Sequence, residues 1–435
     1  MGNLLNIIIL AAGKGTRMKS NKPKILHEIA NREMILHIIS LCNKIKHKNL
    51  YVILGKDSNS IKAILPKNVK IIEQKEQLGT AHALLCAEEK IKKSKDNLLV
   101  LYGDVPLLEI ATLKKLTNKV KNNISMLGFE SLVPKGYGRI KKVKNNILEV
   151  IEEKNLTGSE KKLKLCYSGI FCGKGKTIYK LISKIERNKT QKEFLLTDIF
   201  KIANRENISV SLTLTNEHEV MGVNNMHQLS IAEEQFQTKL RKKFMEKGVI
   251  LQNPETIHFS YDTKVESNVK IGPNNVFGKS VIIKKNVSVR ASNDIENTVI
   301  NNFSTIGPFC RLRGGTIIGK SVKIGNFVEI KKSNIGDFSK INHLTYVGDT
   351  VMGKNCNIGA GTITCNYDGK AKHKTVIGNN VFIGSNCALV APIKIKNNAF
   401  IAAGSTISNN VGENDFSIAR AKQKIVKKGR QKFFK

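Results

Sequence analysis

The sequence predicts two architectures in one chain. The first is an N-terminal α/β unit with a Rossmann-like, mostly parallel sheet. The second is a C-terminal left-handed parallel β-helix of hexapeptide repeats, joined to the first by one long helix. Three observations predict this. In the first half, short apolar runs alternate with helix-like stretches. One amphipathic stretch spans Asn225–Lys247. Beyond it, aliphatic residues recur every six positions. The 435 residues are too many for one ordinary domain. The patterns divide them into an α/β domain over 1–224, a linker helix over 225–247, a β-helix over 248–418 and a basic tail over 419–435.

Asn6–Ala12 is an apolar run stopped by glycine, the pattern of a buried strand. Met34–Lys46 puts Ile35, Ile38, Ile39, Cys42 and Ile45 on one side of a helix. Leu50–Leu54 ends in Gly55, Thr80–Ile91 has helical spacing again, and Leu98–Tyr102 stops at Gly103-Asp104. Strands separated by helices imply a parallel sheet, and ligands of such sheets bind beyond the carboxyl ends of the strands. In the linker, Met226, Leu229, Phe236, Leu240 and Phe244 recur between polar residues. Then Ile377, Ile383, Leu389, Ile395, Ile401 and Ile407 stand six apart without a break. Ile318, Ile324 and Ile330 do the same, Ile335 follows after five, and Ile341 and Val347 resume the spacing. Such a period fits neither a helix nor an amphipathic strand. It fits a coil in which each hexapeptide forms one flat face and its turn, with the aliphatic residue inward. Asn366–Thr375 breaks the register and is expected to loop out.

Composition narrows the function classes. Hydrophobic residues make up 41% of the chain, enough for sizeable cores. The net charge of +37 first suggests a nucleic-acid binder. However, it comes from 61 Lys against only 11 Arg, spread along the chain with no recognition motif, so no nucleic-acid partner is expected. No apolar run reaches the roughly 20 residues that cross a bilayer, so no membrane insertion is expected. Leu4–Ala12 is short and has no basic segment before it, unlike a secretion signal. The 8 cysteines lack CxxC spacing and read as reduced thiols, in a soluble cytoplasmic protein.

Several motifs carry chemistry. Leu10-Ala11-Ala12-Gly13-Lys14-Gly15-Thr16-Arg17-Met18 follows a buried strand, and its small residues let a ligand approach the backbone while Lys14 and Arg17 add positive charge. It is neither a Walker A loop nor a dinucleotide fingerprint, and alone it reads equally as a turn. Asp104 ends a strand where a cation bridging phosphates would sit, or else caps a helix or turn. In the second half, Arg311-Leu312-Arg313-Gly314 suits a sugar phosphate, Glu329 and Lys331 interrupt the apolar code, and His343 is a candidate base.

The set LAAGKGTRM, KPKILH, EQLGTAHA, LYGDVPLL, GYGRI and GVNN resembles the sugar-1-phosphate nucleotidyltransferases. The chain is most similar to the bacterial family that combines N-acetylglucosamine-1-phosphate uridylyltransferase with glucosamine-1-phosphate acetyltransferase, and the resemblance covers nearly its whole length. It implies that Leu10, Ala11, Ala12, Gly13, Gln74, Gly79 and Thr80 hold uridine, and that Tyr102 and Gly103 lie against substrate. It places Lys24 and Arg17 at the phosphates, as catalytic cations, and assigns Mg²⁺ to Asp104 and Asn224. Gly138 and Glu152 would contact the sugar, as would position 167, where Tyr167 stands in place of the family's Asn.

In the second half the resemblance makes His343 the base that deprotonates the sugar amine, with Glu329 either orienting it or pairing elsewhere. It assigns the sugar phosphate to Arg313, Lys331, Tyr346, Asn357 and Lys372, and substrate positioning to Asn366 and Tyr367. Acetyl-coenzyme A would meet Ala360, Ser385, Ala403 and Arg420. The implied partners are glucosamine 1-phosphate, acetyl-coenzyme A, N-acetylglucosamine 1-phosphate and UTP, in a homotrimer built through the β-helix. The implied product, UDP-N-acetylglucosamine, feeds peptidoglycan and lipopolysaccharide synthesis. The alternative is a nucleotidyltransferase alone, with the β-helix serving only assembly.

Overall fold

The computed structural model describes residues 4–13, 15–91, 96–120, 124–144, 146–188 and 192–433. Lys14, a cation of the glycine loop, lies outside the described residues. Internal contacts divide the chain into two compact units, residues 1–236 and 237–435.

The first unit is built on strands β1 (Leu5–Leu10), β2 (Glu28–Ile29), β3 (Arg32–Glu33), β4 (Asn49–Gly55), β5 (Lys70–Gln74), β6 (Asn97–Tyr102), β7 (Ile124–Glu130), β8 (Arg139–Val143), β9 (Asn146–Ile151), β10 (Leu165–Lys174) and β11 (Val210–Leu214). The main sheet has the order β11-β7-β10-β6-β1-β4-β5. β1 runs parallel to both β4 and β6, whereas β10 is antiparallel to β6 and β7. Along this path the sheet is therefore mostly parallel, with β10 reversed, and β8 and β9 add an antiparallel pair beside β10. All six residues of β1 are buried, as its continuous apolar run requires for a strand covered on both faces. The chain leaves β1 on one side to make β4 and β5, then returns to the other side for β6. That reversal opens a crevice at the carboxyl ends of β1 and β6.

Helices α1 (Met34–Cys42), α2 (Asn59–Lys62), α3 (Thr80–Leu85), α4 (Glu88–Ile91), α5 (Ile110–Asn118), α6 (Gly175–Ile182) and α7 (Asp198–Arg205) accompany the sheet, and α8 (Met226–Met245) occupies the linker region. The stretch expected as one helix over 80–91 is two. Ala87 N–H bonds to Leu84 O (2.9 Å) and Lys90 N–H to Ala87 O (3.2 Å), and these three-residue bonds tighten the backbone between α3 and α4. The helix expected over 34–46 stops at Cys42 for the same reason, with Lys44 N–H on Leu41 O and Ile45 N–H on Cys42 O.

The second unit is a parallel β-helix of three sheets, with 10, 8 and 8 strands. Ile271, Val289, Ile306, Ile324, Ile341, Ile358, Ile383 and Ile401 stack in register along one sheet, and all are buried. Successive partners are 17 or 18 residues apart, three hexapeptides per coil, except for the 25 between Ile358 and Ile383. The extra length is the excursion after Asn366, where Tyr367 and Lys372 form an antiparallel bridge of their own. Most corners turn through a residue of positive φ. One corner carries Asn355, Asn380, Asn398 and Asn414 on successive coils, but Phe303 and Phe338 on earlier ones.

Candidate active sites

In the first unit the glycine loop, β5 and β6 converge on a cleft of about 550 Å³ at the carboxyl end of the sheet. Leu10, Ala11, Ala12, Gly13, Lys24, Gln74, Gly79, Thr80, Tyr102, Asp104 and Asn224 all line it, as do Thr16, Gln77 and Glu193. Gln74 is held by Gly79 O (3.1 Å), and Gln77 Nε2 donates to Ala12 O (2.6 Å), which fixes the loop backbone. Gly79 is required twice over. Its φ is +109°, and a Cβ there would lie 2.6 Å from Phe194 O.

The charged groups meet at the end of β6. Val223 N–H donates to Asp104 O (2.9 Å), which brings Asn224 beside Asp104. Lys24 Nζ pairs with Asp104 Oδ2 and donates to Asn224 Oδ1 (3.2 Å), and Arg17 donates to the same oxygen (2.9 Å). Two oxygens, one of them a carboxylate's, thus converge on a single cationic centre. That donor set suits a hard divalent ion, which takes one or two protein oxygens and completes its shell with phosphates and water. Among the described residues no group of three His, Cys, Asp or Glu is placed to hold a metal alone.

Gly103, Gly138, Glu152 and Tyr167 do not line this cleft. Gly103 N–H bonds to Leu10 O (3.0 Å), joining β6 to β1. Gly138 O accepts from Tyr167 N–H (2.9 Å). Glu152 accepts from Thr197 Oγ1 (2.9 Å), and burial pushes its carboxyl above the usual range. Tyr167 is buried, edge-on to Phe200, and its hydroxyl donates to Gly169 O (2.8 Å). That hydroxyl is therefore engaged within the fold.

In the second unit, Asn326, His343, Ala360, Ser385 and Ala403 occupy one corner position on five successive coils. The register of the flanking strands fixes this, and the corner bonds repeat: Leu344 N–H to Asn326 O, Gly361 N–H to His343 O, Asn386 N–H to Ala360 O and Gly404 N–H to Ser385 O. Arg420 donates to Ala403 O (3.0 Å) at the end of the column. His343 is exposed, and its Nδ1 lies 2.9 Å from Asn326 Oδ1. An amide oxygen accepts only, so Nδ1 carries the hydrogen and Nε2 keeps a free lone pair.

Glu329 does not orient His343. It lies around the corner on the next sheet, where it pairs with Arg313 (2.9 Å). Arg313 and Lys331 stand side by side on adjacent strands of that sheet, and Lys372 reaches Lys331 from the excursion. Lys372, crowding beside it, lowers the Lys331 pKa more than any other neighbour, with Arg313 adding to the effect. Asn366 Nδ2 donates to Asp349 Oδ2 (2.6 Å) and to Tyr346 Oη (3.5 Å). The packing needs Gly348, since a Cβ there would lie 2.5 Å from Tyr346 Oη and 2.6 Å from Asn366 Nδ2. Tyr367 is exposed, with its hydroxyl on Gly369 O (2.7 Å). Asn357 stands on the sheet that carries His343, in register with Lys340, and not on the sheet of Arg313 and Lys331.

Sequence reasoning missed Asn326, Asp349, Gln77 and Glu193. A 17-residue offset between Asn326 and His343 is one coil, so that pairing was legible once the repeat was aligned. Glu193 is placed by the bonds of Phe194 to Leu78 and Ala81, for which no local signal exists.

The chain matches the MobA-like NTP transferase domain over residues 7–131. It matches the bacterial transferase hexapeptide (six repeats) over 297–332 and 374–409. It is 42% identical over 423 residues to the bifunctional protein GlmU of Bartonella bacilliformis, covering 96% of this chain and 94% of that one. The GlmU of Thermosipho melanesiensis is 44% identical over 98% of this chain and 99% of its own. That of Clostridium beijerinckii is 39% identical over 96% of each. Both units lie inside these matches, and on that evidence the chain belongs to the family of bifunctional GlmU proteins.

Proposed function

We propose that the chain carries out two successive transfers. The β-helix moves the acetyl group of acetyl-coenzyme A to the amine of glucosamine 1-phosphate. The α/β unit then moves UMP from UTP to N-acetylglucosamine 1-phosphate, giving UDP-N-acetylglucosamine and pyrophosphate. The observation that carries the first step is the orientation of His343. With Nδ1–H held by Asn326, Nε2 is free to take the proton that the amine loses as it attacks the thioester carbonyl. Arg313, Lys331 and Lys372 offer three cations to the sugar phosphate, and the small residues of the His343 column leave room for the coenzyme. An oriented base and a cluster of three cations argue against a β-helix that serves assembly alone.

In the second step the sugar phosphate attacks the α-phosphorus of UTP in line, and pyrophosphate leaves. No covalent enzyme intermediate is needed, so the task is positioning and charge neutralisation. Lys24 and Arg17 stand at the phosphates, while Gln74, Gly79, Thr80 and the Leu10–Gly13 backbone seat the nucleoside. Asp104 and Asn224 would hold Mg²⁺, which when bound neutralises phosphate charge. The reading includes a cytoplasmic homotrimer without nucleic-acid partners. Phe309, Phe327 and Leu344, each more than half exposed beside the Asn326–His343 corner, support a subunit contact there.

The test supplies the protein with glucosamine 1-phosphate, acetyl-coenzyme A, UTP and Mg²⁺, then omits each in turn. Omitting acetyl-coenzyme A should stop the sequence, and N-acetylglucosamine 1-phosphate should restore it. Coenzyme A release that does not depend on glucosamine 1-phosphate would refute the acetyl-transfer reading.

A further inference from the structure

We propose that Asp368 and His373 form a clip that positions Lys372 for the phosphate of the acetyl acceptor. The inference rests on the acetyl-transfer reading above and concerns residues outside the hexapeptide repeat.

The excursion after Asn366 lies outside the solenoid's own register, so stacking coils cannot hold it. Its order comes from within. The Asp368 carboxylate accepts Lys370 N–H (2.8 Å) and Ala371 N–H (2.7 Å), and its second oxygen takes His373 Nε2–H (2.7 Å). His373 N–H returns to Asn366 O (2.8 Å), and Tyr367 bridges to Lys372. Lys372 is thus fixed between two tied residues. These bonds keep the Asp368 carboxyl well below the usual range, so it stays ionised.

The clip works against a force that the same structure displays. Lys372 is held against Lys331, with Arg313 nearby, while the Glu329 carboxylate is engaged by Arg313. Adjacent ammonium groups repel, and a lysine has a long flexible stem on which to move away. Tying the backbone on both sides of Lys372 leaves only rotation of that stem to relieve the repulsion. The cluster then waits for a dianionic phosphate, which turns repulsion into attraction. The His373 ring donates through Nε2 whether neutral or protonated, so the clip does not depend on its charge.

The test is steady-state kinetics of both reactions in the full chain, with His373→Leu, Asp368→Asn, His373→Gln and Lys372→Gln. His373→Leu and Asp368→Asn should raise the KM for glucosamine 1-phosphate about fivefold, with kcat and the acetyl-coenzyme A KM held within about twofold. His373→Gln keeps a donor near the Nε2 position and should restore the KM. Uridylyl transfer should not change in any of them. If Lys372→Gln leaves the KM unaltered, the phosphate assignment itself fails. If Lys372→Gln raises it but His373→Leu and Asp368→Asn do not, the clip is overturned. A fall in kcat without a rise in KM, or a His373→Gln variant as impaired as His373→Leu, also overturns it.

Discussion

The two candidate sites hold their cations in opposite ways. In the α/β unit, Lys24 is largely buried and already matched by Asp104 and Asn224. In the β-helix, the half-buried Lys331 and the exposed Lys372 crowd together, and Arg313 is the one tied to a carboxylate. The difference follows from solvent. A buried lysine without a partner would be too costly, so the enclosed site must balance its charge before any ligand arrives. Exposed cations are screened by water and need only a backbone that holds them together. The sites also assemble differently. Lys24, Asp104 and Asn224 are 80 and 200 residues apart and meet through the sheet topology. Asn326 and His343 are 17 apart and meet because that is one coil.

The largest effects should come from removing one site at a time. His343→Ala should lower acetyl transfer about 10³-fold and leave uridylyl transfer intact. Asp104→Asn should do the reverse by about 10³-fold, since it leaves Lys24 without its balancing charge and removes the proposed Mg²⁺ ligand. Equal loss of both activities in a folded variant would break the comparison.

Acid should also distinguish the units. Burial holds His37 at about 4, well below its ordinary 6.5, and the ring bonds to Ile29 O and packs on Phe236. Between pH 6.5 and 4 the unfolded chain binds a proton that the folded one excludes. The contribution of His37 to the stability of the α/β unit, roughly 3 kcal/mol, should therefore be lost over that window. Denaturant titrations of wild type and His37→Gln across this range check the assignment, and an unchanged slope in the variant would exclude His37.

Asn326→Leu should lower the kcat of acetyl transfer about tenfold through the tautomer of His343, with Asn326→Asp retaining more activity. The smallest effect concerns the corners. Phe338 sits at φ +61°, where later coils carry Asn. Phe338→Asn should raise the unfolding free energy by up to about 1 kcal/mol. A lower melting temperature would show that the exposed ring is held by a contact worth more than the strain.

Much of the β-helix site could be read from sequence, because a repeat converts spacing into position. The Ala360, Ser385 and Ala403 column follows from counting coils. Of the two readings open for Glu329, the structure takes the pairing and not the orientation of His343, because three residues past Asn326 the chain has turned a corner. In the α/β unit the glycine loop and Asp104 stood out locally, yet nothing local revealed the bond from Val223 to Asp104 or the burial of Tyr167.

The sequence by itself determined the alternation of strands and helices, the coil period, the place where that period breaks, and the family motifs. Each is written in residues close together in the chain. Only the tertiary structure decided which oxygens surround Lys24, that Glu329 pairs with Arg313 and not His343, and that Lys372 reaches Lys331. Those are contacts between elements, and strand order, corners and excursions set them by geometry that no local pattern encodes.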